Sequence, residues 1–137
     1  MRAQIGLEYM AVVTLMIALL VPLFYIANQR LEVSSVSSRA KVAVSTIVTY
    51  ANTIYAQSPG SKLTANVYVP IGYNNATSYI ANRTILMHFD LTDGRPYDVF
   101  GITKGNVSGR LPPYPGYHVM TFTMNQSGWV IINTTAK

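Results

Sequence analysis

Hydrophobic and polar positions divide the chain into three regimes. From Tyr9 to Ala27 (YMAVVTLMIALLVPLFYIA) nineteen consecutive residues carry no charge and no amide. A helix of that length spans about 28 Å, close to the hydrocarbon thickness of a bilayer, and no other stretch is long enough to cross one. Pro22 falls inside the run and removes one backbone hydrogen bond. Membrane helices accept this because neighbouring groups satisfy the freed carbonyl. A polar collar, Asn28-Gln29-Arg30, follows. Then Val33, Val36, Ala40, Ala43 or Val44, Ile47, Ala51 and Ile54 recur in steps of three and four. That spacing predicts an amphipathic helix with one buried stripe, on which a C-terminal domain packs. Four serines between Ser34 and Ser38 weaken helix propensity there, and Ser58-Pro59-Gly60 ends the helix.

From residue 61 the period changes from 3.6 to two. Leu63, Ala65, Val67 and Val69 alternate with Thr64, Asn66 and Tyr68, the pattern of a half-buried strand. Gly72-Tyr73-Asn74-Asn75 reads as a turn, and Ile85–Leu91 as a strand ended by Asp93-Gly94-Arg95-Pro96. Residues 97–103 run to a turn at Lys104-Gly105-Asn106, and Pro112–Gly116 is a stiff loop that no strand crosses. Tyr117–Met124 and Trp129–Thr135 flank Asn125–Gly128 as a final hairpin. The fold class predicted is α+β: a long N-terminal helix over 4–58, then a small sandwich-like all-β domain over 61–137. The helix divides into an apolar anchor (4–27) and an amphipathic half (28–58).

Composition narrows the function. Of 137 residues, half are hydrophobic and 11% are charged, which excludes a disordered chain and suits a protein partly buried in lipid or in neighbours. The net charge is +5, but the residues from Gly60 onward hold six basic groups against three acids, scattered rather than striped. No nucleic-acid partner is expected from that. The absence of cysteine removes disulfides, thiol catalysis and cysteine-ligated zinc. His88 and His118 sit in separate strands with no acid or Cys at ligand spacing, and both read as ordinary strand residues. Asp90–Gly94 lacks the third ligand and closing Glu of a calcium loop and reads as a turn. No catalytic constellation, metal site or cofactor loop is expected, so the chain reads as a non-enzyme.

The residues before the apolar run decide what kind of membrane helix this is. A secretory signal requires a small-residue cleavage site after its apolar core, and the exit Phe24-Tyr25-Ile26-Ala27-Asn28 has none. By contrast Arg2-Ala3-Gln4-Ile5-Gly6-Leu7-Glu8-Tyr9 resembles the class III signal peptide of archaeal type IV pilins. The resemblance covers about Arg2 to Ile26. It implies a leader of residues 1–3, cut by a prepilin peptidase between Ala3 and Gln4, with Glu8 as fifth residue of the mature chain. Ala3 stands where the family more often shows Gly, and so short a leader places the start codon upstream as an alternative. The presence of Glu8 sets the chain nearer the adhesive pili than the archaellins. The resemblance further implies a membrane anchor that later becomes a filament core, in a homopolymer raised by a peptidase, an assembly ATPase and a platform protein.

Glu8 admits three readings. After cleavage the Gln4 amine lies about 6 Å from it along the axis, so a neighbour offset by one helical turn brings its own Gln4 amine level with Glu8. Alternatively Glu8 favours its own helix N-terminus, or serves as a recognition mark for the peptidase.

Five N-glycosylation sequons point outside the cell: Asn75-Ala76-Thr77, Asn82-Arg83-Thr84, Asn106-Val107-Ser108, Asn125-Gln126-Ser127 and Asn133-Thr134-Thr135. Chance pairing of the same residues gives about one. The positive-inside rule opposes them, since Arg30, Arg39 and Lys41 follow the apolar run and only Arg2 precedes it. The sequons and the pilin-like start agree with each other, and they carry the orientation. The expectation is an extracellular, N-glycosylated structural subunit of an archaeal adhesive pilus, held in the membrane before assembly. Two alternatives are a monomeric membrane-anchored extracellular binding protein and a minor pilin of the same system.

Overall fold

The computed structural model describes residues 2–135, with side chains described from Gly6. One helix, α1 (Arg2–Tyr55), precedes seven strands. These are β1 (Lys62–Val69), β2 (Tyr73–Ala81), β3 (Thr84–Asp90), β4 (Pro96–Ile102), β5 (Val107–Gly109), β6 (Gly116–Met124) and β7 (Val130–Thr135). Pro22 lies inside α1 without ending it. Neither do the helix hydroxyls: Thr14, Thr49 and Thr53 each donate to the carbonyl four residues back, at 2.8 Å.

The strands form two sheets, ordered β1-β6-β7-β5 and β2-β3-β4. All neighbours are antiparallel except β5 and β7, which run parallel. The two sheets and one stripe of α1 enclose a single core. The stripe is the one the spacing predicts: Ala40, Ala43, Val44, Ile47, Ala51 and Ile54 are buried. Against it the sheets set Val67, Met87, Phe89, Met120, Phe122 and Ile132, and Tyr50 meets Phe122 with ring centroids 5.8 Å apart. Alanines on the stripe let the sheets approach closely. On β4 the backbone comes nearest at Gly101, where a Cβ would overlap Val48 Cγ2 and stand 2.8 Å from Val44 Cγ1.

Two features differ from the sequence reading. The turn expected at 72–75 lies earlier, at Ile71 and Gly72, and Tyr73 already opens β2. Gly72 takes φ 91°, and a Cβ on it would collide with Asp90 O, so the bend is fixed there by close backbone approach. The short β5 is the second, a parallel strand not foreseen.

The antiparallel order sorts the loops into two ends. At the upper end Lys104 N donates to Asn52 Oδ1 at 2.7 Å, and Gly105 packs on the Tyr55 ring. This end carries the β2–β3, β4–β5 and β6–β7 connections. The lower end carries β1–β2, β3–β4 and β5–β6, and there the β3–β4 turn shares two grooves with the helix around Gln29 and Val33.

Candidate functional site

Below the β domain α1 is bare. Leu7, Tyr9 and the large apolar side chains from Met10 to Ile26 are all exposed, on every face of the helix. By length and composition this helix is able to cross a membrane. A helix apolar all round needs cover by lipid or by other chains, since one face of a helix is enough for a core. Glu8 is exposed in the second turn. The residues read as the processing site, Ala3 and Gln4, are helical in backbone, and their side chains lie outside the described residues.

The sequon asparagines divide by place. Asn82, Asn106 and Asn125 occupy the three upper loops, while Asn75 lies in β2 and Asn133 on the outward side of β7. All but Asn125 are exposed. Asn82 sits at the β2–β3 turn with φ 52°, a conformation asparagine tolerates better than most residues. Asn125 is half-buried because its Oδ1 closes the hairpin, accepting from Ser127 N and Trp129 N, both at 2.9 Å. Its Nδ2, the atom that sugar transfer modifies, is not used by that turn.

The structure brings His88 to two acids, which corrects the reading of it as a plain strand residue. Register pairs His88 with Asp98 on β4, and Nδ1 meets Asp98 Oδ1. Nε2 stands 3.4 Å from Oδ1 of Asp90, two residues along the same strand face, and Asp90 Oδ2 accepts from Asn74 Nδ2 at 3.2 Å. The hydrogen bond to Asp98 raises the His88 pKa above 6.5, partly opposed by desolvation and assisted by both negative charges. Among the described residues no group of three or more His, Cys, Asp or Glu is arranged to hold a metal. The second histidine, His118, is buried in the core side of β6 with Nε2 2.8 Å from Tyr114 O. A carbonyl only accepts, so Nε2 carries the proton, and the buried Nδ1 has no partner among the described residues.

A groove of about 540 Å³ opens where β2 and β5 diverge, lined by Asn75, Ser78, Tyr79, Arg110, Leu111 and Thr134. Its upper end is closed by the hydrogen bond from Val107 N to Asn82 O. On the outward face of the three-stranded sheet, Phe100 and Ile102 are 66% and 63% exposed, and Tyr79 and Leu86 adjoin them through the register. Comparison with family models, curated proteins and solved structures returns no match for this chain.

Proposed function

We propose that the chain is a structural subunit of an archaeal type IV-like adhesive pilus, polymerised through α1. One observation carries the reading: a 54-residue helix whose upper half is buried along one stripe and whose lower half is apolar and bare on all sides. Lipid is the cover before assembly, and the equivalent helices of other subunits are the cover afterwards. The pilin-like start, Arg2-Ala3-Gln4 with Glu8, gives the switch between the two. In a core without water an unpaired Glu8 is expensive, and the Gln4 amine of a neighbour offsets it. The exposed apolar face around Phe100 and Ile102 also suits a subunit that meets others, since monomers rarely leave such faces open. On this reading the β domains form the glycosylated outer sheath, and the chain has no catalytic role of its own.

The second reading, an anchored monomeric binding protein, draws on the groove between β2 and β5 with Arg110 on its wall. Mechanical shearing separates the two. Glu8→Leu is expected to remain in the membrane fraction at normal level and to lose most of the sheared filaments, while Ser38→Ala, exposed on the polar helix half, shears like wild type. Wild-type cells that shed no filaments containing this chain favour the monomer. Normal filaments from Glu8→Leu leave the filament reading standing and remove the ion pair.

A further inference from the structure

We propose that the lower end of the β domain rests on the bilayer surface while the subunit is in the membrane, with Ile71 and Tyr117 seated among the lipid headgroups. The proposal rests on reading α1 as a membrane helix with the β domain outside the cell.

Depth is set by the chain itself. The apolar run ends at Ala27, so Gln29, Arg30 and Val33 stand about 3, 4.5 and 9 Å above the hydrocarbon edge. The headgroup layer is about 5–7 Å thick on each side. Two grooves flank Asp93 of the β3–β4 turn, one shared with Tyr25, Gln29 and Val33, the other with Ile26, Arg30 and Ser37. The turn therefore faces the helix between Tyr25 and Ser37, a stretch that starts at the hydrocarbon edge and passes through the headgroup layer. The neighbouring loop is tied to it, because Asp90 N donates to Gly72 O at 2.7 Å. That loop carries Ile71, 74% exposed, at the lower end of the domain. Beside it, at the start of β6, Tyr117 is 77% exposed and leans on Tyr68 with ring centroids 4.8 Å apart. An isoleucine and tyrosines with one wet end are what an interface accepts.

The sequons give an independent asymmetry. Each of the three upper β loops holds one, at Asn82, Asn106 and Asn125, and none of the three lower loops does; the other two lie within strands, Asn75 near the lower start of β2 and Asn133 in β7. A lower loop pressed to a bilayer has no room for a sugar. Charge at the lower end is mixed: Arg95 pairs with Asp93 at 3.3 Å, and Arg30 and Arg110 are matched in number by Glu32 and Asp90. Contact therefore depends on apolar insertion rather than on anionic lipid.

The cysteine-free sequence makes the test direct. Single cysteines at Leu15, Ile71, Thr92 and Ser127 carry a nitroxide in the full chain, reconstituted into phosphatidylcholine vesicles. Collisions with oxygen and with a neutral nickel complex report depth. The expected result is a deep label at 15, interfacial labels at 71 and 92, and an aqueous label at 127. Adding Ile71→Asp and Tyr117→Asp to the label at 92 raises its nickel accessibility severalfold; both side chains are exposed, so the domain stays folded. A deep label at 15 with labels at 71 and 92 as aqueous as 127 overturns the proposal and leaves the membrane helix intact. An aqueous label at 15 overturns the membrane reading, and the proposal with it.

Discussion

Gly101→Ala probes the contact that holds the β domain on its helix. The added Cβ would overlap Val48 Cγ2 and lie 2.8 Å from Val44 Cγ1, whereas carbon atoms prefer about 3.5–4.0 Å. β4 and α1 must separate, and overpacking of this kind costs about 1–3 kcal/mol. The loss of unfolded-chain entropy returns about 0.4–1 kcal/mol, leaving a net loss of about 1–2 kcal/mol. Val48→Ala alone removes two carbons from a half-buried site and costs about 1 kcal/mol. It also removes the atom that collides, so the double variant should be more stable than the sum of the two losses by about 1 kcal/mol. Urea unfolding of the full chain in detergent micelles, followed through Trp129, measures all three, with unchanged denaturant slopes as the condition for comparison. A neutral Gly101→Ala, or losses that add within about 0.5 kcal/mol, would refute this seating of helix on sheet.

Other outcomes follow from the site. By NMR His88 should show a midpoint above 6.5, because protonation strengthens its bond to Asp98 and its attraction to Asp90. Its folded pKa is raised, so its stabilisation is complete below about 6.5 and disappears as pH climbs through the raised value; His88→Gln should flatten that part of the pH–stability curve, and a midpoint at or below 6.5 would contradict the geometry. Glycopeptide analysis of protein from its native cells should find sugar on at least one of Asn75, Asn82, Asn106, Asn125 and Asn133, with the exposed upper-loop sites Asn82 and Asn106 among those occupied. Five bare asparagines would return the orientation to the charge rule.

The helix was legible because its signal is local: steps of three and four residues from Val33 to Ile54 mark the stripe, half-buried at Val33 and Val36 and buried from Ala40 on. The same holds for β1, β3, β6 and β7, whose alternation survives in the burial pattern. Strand β2 was hidden by its composition, since YNNATSYIA turns mostly polar groups to solvent and breaks register between Asn74 and Tyr79. Strand β5 is three residues long and pairs in parallel with a strand more than twenty residues away, which no local pattern records. The acids around His88 show the same division. Asp90 lies two positions along one strand face, a spacing the sequence reading passed over, and Asp98 joins the histidine only through the β3–β4 register. The grouping of Ile71, Asp93 and Tyr117 at one end likewise requires the topology.

Processing and polymerisation of this chain are both read out by mass spectrometry of filaments sheared from native cells. A filament fraction that contains this chain with Gln4 as its first residue is expected. A chain absent from that fraction, an intact Met1, or a cut near Asn28 would contradict it.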